Sequence, residues 1–255
     1  MRTYRKIGDF KRLNDIADYL KNLYFETVFI DEELLADAIE FYNSYFRFRV
    51  HAITREEAIK YAELGPRLNA DLWKSMMPMD KDKMDFFYSM TPFYFFHDII
   101  RFMDGIHLER AFEFMENNKD PILDFAGGTG GYSIFFASRG LDVTFCDSNI
   151  LQYNWMLWVN EKRKLGIKIF NDPKELVGKK FNFVLASDIV EHVIDPGELM
   201  TFLKSLVEKG GGIFASELNM SGPDDLAPMH FKVQEKDNGI AYNVEENMKT
   251  LMRPR

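Results

Sequence analysis

Residues 122–130 read Ile-Leu-Asp-Phe-Ala-Gly-Gly-Thr-Gly, an apolar run that passes through Asp124 into a glycine-rich turn. Gly127, Gly128, Gly130 and Gly131 lack a Cβ, so the chain there can turn tightly and let a ligand approach its backbone. Further along, Asp142-Val-Thr-Phe-Cys-Asp147 is a short β-rich run that again ends in an acid. An acid at the tip of the second strand of a nucleoside-binding α/β fold accepts hydrogen bonds from ribose hydroxyls. Asp147 fits that role, with Ser148 beside it. The chemistry expected is the holding of a nucleoside cofactor.

Spacing decides among such cofactors. Counted from Gly128, the dinucleotide fingerprint G-x-G-x-x-G would need glycine where Ser133 stands, and no Lys-Ser or Lys-Thr follows to make a phosphate-gripping loop. The remaining pattern, Asp124, Ala126, Gly128, Gly130, resembles motif I of the class I S-adenosylmethionine-dependent methyltransferases, [DE]-x-G-x-G-x-G. Ala126 replaces the first glycine and would be awkward if the backbone there needed a positive φ. The stretch from Asp188 through Glu191-His192 to Asp195-Pro196 is similar to the D-x-x-E-H-x-x-[DN]-P run of the family's small-molecule members.

The resemblance implies further roles. Asp124, Ala126, Gly127, Gly128 and Gly130 would cradle S-adenosylmethionine. Asp147 and Ser148 would take its ribose, and Asp172, with Asn171 as the alternative, its adenine. Asp188, at the end of the fourth strand, would also bind the cofactor. Methyl transfer is an in-line displacement that rests largely on positioning, and a base helps only when the nucleophile carries a proton. His192 and His230 are the candidate bases; Glu191 and Glu217 could orient a substrate. A tyrosine on the helix before motif I contacts cofactor or substrate in some relatives, which nominates Tyr94. No set of candidate ligands has the spacing of a metal site.

These residues need a frame to hold them. Strands over 122–125, 142–147, 167–172, 181–188 and 212–217, alternating with helices, imply a doubly wound, mostly parallel sheet with ligand at the carboxyl ends of its strands. A helix at 133–137 follows the glycine turn and another spans about 150–164. Asp195, Pro196 and Glu198 predict a capping box opening a helix that ends near Gly210 to Gly212. Asp237-Asn-Gly239 predicts a hairpin near the carboxyl end.

Residues 1–117 read as an all-helical N-terminal region, and residues 118–255 as the catalytic domain. Leu34, Leu35, Ala38, Ile39, Tyr42 and Tyr45 recur at helical spacing, as do Phe10, Leu13, Leu20 and Leu23. Thr54 and Glu57 predict a capping box for a helix ending at Gly65-Pro66, Thr91-Pro92 opens one running to near Gly105, and a last spans 106–117. Between Trp73 and His97 the chain is crowded with methionine and aromatic residues. They could form helix-packing core, or an adaptable substrate wall tipped by Tyr88, Tyr94 and His97.

The 255 residues carry a net charge of −8 and a pI near 5.3, against a broad nucleic-acid surface. Cys146 is the single cysteine, so no internal disulfide forms. No long apolar run predicts a membrane span and no apolar signal core follows the N-terminus, so a cytoplasmic protein is expected. The expected function is methyl transfer to O or N of a small molecule, in a chain that could dimerise through its N-terminal helices. The alternatives are a protein or peptide methyltransferase and a cofactor-binding scaffold without catalysis.

Overall fold

The computed structural model describes residues 3–6, 27–46, 52–102, 111, 114, 120–215 and 228–229. Five strands form one all-parallel sheet: β3 (Ile122–Phe125), β4 (Val143–Cys146), β5 (Lys168–Phe170), β6 (Phe181–Ala186) and β7 (Val207–Ala215). Their order is β5-β4-β3-β6-β7. The sequence of strands therefore runs outward from β3 to one edge, then restarts beside β3 at β6. In a doubly wound sheet that reversal opens a crevice at the carboxyl ends of the two central strands.

Successive residues of these strands point to opposite faces. Ile122, Val143, Phe145, Phe183, Leu185 and Phe214 enter one apolar core, while Leu123, Phe125, Cys146, Val184, Ala186 and Ala215 enter another. Helices α5 (Gly131–Ala137) and α6 (Ile150–Arg163) cover the first face, and α7 (Pro196–Ser205) covers the second. Burial on both faces explains why the strands read as continuous apolar runs.

The N-terminal region supplies α1 (Glu32–Tyr45), α2 (Arg55–Met76), α3 (Lys81–Met90) and α4 (Phe95–Arg101). It departs from an all-helical reading in one respect. Strands β1 (Thr3–Lys6) and β2 (Thr27–Ile30) pair in parallel, each only four residues long and so too short for periodicity to mark. Phe41, Phe95 and Phe96 from α1 and α4 join Trp155 and Phe145 in the first core. Asp37 of α1 lies 2.6 Å from Arg163 and 2.9 Å from Lys162 on α6.

Three boundaries differ from expectation. The helix opened by the Thr54–Glu57 capping box runs through Gly65 and Pro66 to Met76. Proline removes one helical N–H, the partner of the carbonyl four residues back. His97 repairs this: its Nδ1–H donates to the Ala62 carbonyl at 3.1 Å. Gly65 serves close packing, because a Cβ there would collide with the Phe93 carbonyl oxygen. The helix after Asp195 stops at Ser205, and Gly210 to Gly212 lie inside β7. There the pairing with β6 shifts register, Gly210 has φ +87°, and a Cβ on Gly211 would come 2.6 Å from the Asn182 carbonyl oxygen. The third is the Pro92 helix, which begins only at Phe95, since Thr91 caps the end of α3.

Asp195 accepts from the Glu198 N–H at 2.9 Å, the forward half of the predicted box. Of the helix expected over 106–117, Ala111 and Phe114 are described; both are helical and buried. The helix expected from Phe10 to Leu23 and the hairpin at 237–239 lie outside the described residues.

Candidate functional site

The glycine turn joins β3 to α5, and its residues divide by what surrounds them. Ala126 has φ +53°, so the position where motif I carries its first glycine does require a left-handed backbone. Gly127 is packed tight: a Cβ would lie 2.8 Å from Asp124 and from the Phe145 ring. At Gly130, with φ +70°, a Cβ would overlap the Met156 sulfur, and at Gly131 the Phe102 ring. Gly128, with φ +59°, is open: the nearest atom to its Cβ position is Asp98 Oδ2, 3.5 Å away. Gly130 and Gly131 therefore let helices close on the turn, while Gly128 leaves room above it.

Two carboxylates hold this turn. Asp124 Oδ2 accepts from the Ser133 N–H at 3.2 Å and its hydroxyl at 2.7 Å, which ties the end of β3 to the first turn of α5. Asp147 Oδ2 accepts from the Gly128 N–H and Oδ1 from the Asn149 N–H, each at 2.8 Å. Burial pushes each acid up to about 6 against the pull of those bonds.

A cavity of about 360 Å³ lies over the carboxyl ends of β3 and β6. Of the residues singled out from sequence, Asp124, Ala126, Gly127, Gly128, Asp188, His192 and Tyr94 line it, with Glu191 and His97. Gly130 and Asp147 are not among its lining residues, although Asp147 holds the Gly128 N–H. Ser148 and Asp172 are exposed and do not line it; Asp172 caps a 3-10 turn by accepting from the Lys174 N–H at 2.9 Å. His230 and Glu217 lie outside the described residues. Cys146 is buried, and burial pushes its thiol up, as expected of a packing residue.

Sequence reasoning missed Asp98 and Arg101. They sit one turn apart on α4, a spacing that places both on one helix face, and both reach the cavity. Arg101 pairs with Asp188 at 3.4 Å, and Asp188 itself has φ +56°. The Gln152 amide donates to Asp98 Oδ2 at 3.5 Å. Burial raises Asp98 to about 7; Arg101 opposes the rise, and Asp147 and Asp188 add to it. That signal, an acid and a base at helical spacing just before the glycine turn, was readable but was hidden among aromatic residues. His192 also has a partner from the N-terminal region, with Tyr88 Oη 3.2 Å from its Nδ1.

A family model described as a methyltransferase domain matches residues 95–253. The chain belongs to this methyltransferase family. The matched region opens on α4, so Asp98 and Arg101 fall inside it. A search of curated proteins gives no match. Among solved structures, the methyltransferase is similar to an O-methyltransferase family protein from Burkholderia thailandensis, 17% identical over 65% of this chain and 55% of the other, TM-score 0.42. It is similar also to TehB from Haemophilus influenzae, 19% identical over 47% and 43%, TM-score 0.39. A third is the Pyrococcus abyssi tRNA (uracil-54, C5)-methyltransferase in complex with S-adenosyl-L-homocysteine, 23% identical over 31% and 21%, TM-score 0.29. The methyltransferase thus spans about half or less of these chains' own length.

The methyl donor of this class I enzyme is S-adenosylmethionine. The cavity fits it on two counts. Gly128 leaves its backbone open to a ligand, and even with Asp98 raised to about 7, Asp124, Asp188 and Glu191 outnumber Arg101 on the wall, which suits a ligand bearing a sulfonium and an ammonium with a single carboxylate. Among the described residues no cluster of ligating side chains could hold a metal ion, and no helix is long and apolar enough to cross a membrane.

Proposed function

We propose that the enzyme transfers a methyl group from S-adenosylmethionine to an O or N atom of a small-molecule acceptor. The observation that carries this reading is the cavity itself. It is lined by Tyr94, His97, Pro66, Asp188, Glu191 and His192, and by Gly128, whose Cβ position is open. Its size, near 360 Å³, is that of a small-ligand pocket.

In this reading Asp124, Ala126, Gly127, Gly128 and Gly130 shape the floor under the donor. Each Asp147 oxygen keeps a second lone pair after its backbone bond and takes a ribose hydroxyl, with Ser148 beside it. Asp172 receives the adenine amine. Asp188 and Arg101 meet the amino-acid end. Tyr94 orients the acceptor, and His192 takes its proton as the methyl group arrives, with His230 the second candidate base. The acceptor atom forms the new bond to carbon, the sulfur–carbon bond breaks, and neutral S-adenosylhomocysteine is left.

Calorimetry with S-adenosylmethionine tests the donor site; no heat at high micromolar cofactor would overturn the reading. Release of S-adenosylhomocysteine is then followed against fractionated metabolite pools and against denatured protein pools. Turnover confined to the protein pools would overturn the small-molecule assignment. His192→Asn is expected to lower turnover about 100-fold or more at unchanged donor affinity, the usual size of a general-base contribution.

A further inference from the structure

We propose that Tyr88, which lies outside the matched family region, is the positioning residue that fixes the ring and the tautomer of His192, so that Nε2 is the proton-accepting nitrogen. This rests on the reading of His192 as the base.

The geometry carries it. Tyr88 Oη stands 3.2 Å from His192 Nδ1, and the two rings meet edge-on with centroids 5.6 Å apart. The same hydroxyl donates to the Met229 carbonyl at 3.5 Å. A phenol has one proton to give. With that proton on the Met229 carbonyl, Oη can only accept from His192, which places hydrogen on Nδ1 and leaves the lone pair on Nε2. Burial, with Tyr94 and Glu191 nearby, holds the phenol well above its ordinary value, so it stays protonated through the neutral range.

Tyr88 is itself held from two sides. Its ring packs among Trp73 and Phe87, at 6.2 and 5.2 Å between centroids. Its backbone carbonyl accepts from the Asn149 side-chain amide at 2.9 Å, as does that of Thr91. These carbonyls belong to the end of α3, where a helix has no partners of its own for them. Asn149 also caps α6 through its Oδ1 and donates its N–H to Asp147. One residue thus links the proposed ribose acid, through its N–H, to the helix carrying Tyr88, through its side chain, and Tyr88 links that helix to the base.

The proton path balances. An acceptor N–H or O–H gives its proton to Nε2 as its heavy atom bonds to the methyl carbon. The imidazolium formed keeps donating from Nδ1 to Tyr88, and later returns the Nε2 proton to water.

The test reads the tautomer without turnover. Nitrogen NMR is recorded on the full chain labelled at histidine, saturated with S-adenosylhomocysteine at pH 8, with His192→Asn to assign the signal. The wild type is expected to show hydrogen on Nδ1; hydrogen fixed on Nε2 would overturn the proposal whether or not the Tyr88 variant folds. Tyr88→Phe keeps the ring and removes the oxygen, so it should bind S-adenosylhomocysteine within about twofold of wild type and lose the Nδ1–H preference. A Tyr88→Phe spectrum identical to wild type would also overturn it. A Tyr88→Phe spectrum like the wild type leaves the base reading standing, since hydrogen on Nδ1 still frees Nε2; hydrogen on Nε2 would count against both, and the His192→Asn assay then tells whether turnover uses this ring at all.

Discussion

Ala126 is held at φ +53°, a region where a side chain costs about 1–2 kcal/mol relative to glycine. Ala126→Gly should therefore raise the stability of the enzyme by about 1 kcal/mol, seen as a higher urea midpoint, a gain capped by the extra freedom of the unfolded chain. A fall in the midpoint would mean that the methyl group is needed for packing. The other turn residues separate by the same logic. Gly130→Ala drives a Cβ into the Met156 sulfur and should destabilise by several kcal/mol, whereas Gly128→Ala meets only backbone strain of about 1–2 kcal/mol and should chiefly weaken donor binding in calorimetry. The need for glycine at these sites was visible in the sequence; which neighbour imposed it was not, because Met156 and Phe102 reach the turn from distant parts of the chain.

Asp98 carries a pH signature. Its ordinary value near 3.8 is raised to about 7, so between those limits the folded chain holds a proton that the unfolded chain has released. Stability from this group is therefore lost as pH rises from about 4 to about 7. Asp124 and Asp147, each raised to about 6, act in the same direction. Thermal unfolding of Asp98→Asn against wild type should show the variant gaining relative stability across that window; a flat difference would remove the buried-acid account.

At the scale of elements, the clearest departure is α2, which crosses Gly65 and Pro66 without ending. The local rule that proline closes a helix was overridden by His97, whose ring supplies the bond that Pro66 cannot. His97→Ala should cost about 1–3 kcal/mol, the desolvation penalty of an unpaired carbonyl, while His97→Asn should recover part of it. Equal denaturation curves for all three would show the contact to be idle. The strands and their order of acids were legible because a sheet buried on both faces demands long apolar runs and its ends demand turns. β7 was placed five residues late at its start, since glycines that look like a loop instead sit in an irregular ladder, where Asn182 leaves no space for a side chain at Gly211.

Across the whole molecule, the first core does not stop at the boundary between the N-terminal helices and the sheet. Phe41 touches both Phe95 and Trp155, with centroids 5.9 and 5.6 Å apart, and the Asp37 ion pairs span the same seam. The expected consequence is one cooperative unfolding transition, with tryptophan fluorescence and far-ultraviolet dichroism coincident. Phe41→Ala should lower that single midpoint by an amount worth about 3–5 kcal/mol. Two resolved transitions would instead support independent units near the 117/118 boundary. None of this seam was readable from the sequence, because each half has its own periodicity and neither announces the other.

The ring of His97 stands both in the repair of α2 and in the wall of the cavity. A residue with two such duties cannot drift without harm to one of them. His97→Ala should therefore disturb both α2 and the cavity wall as long as Pro66 is present. Loss of the proline would release the histidine, so the two positions should change together or not at all. The shape of this pocket is thereby tied to the backbone of the helix that carries Pro66.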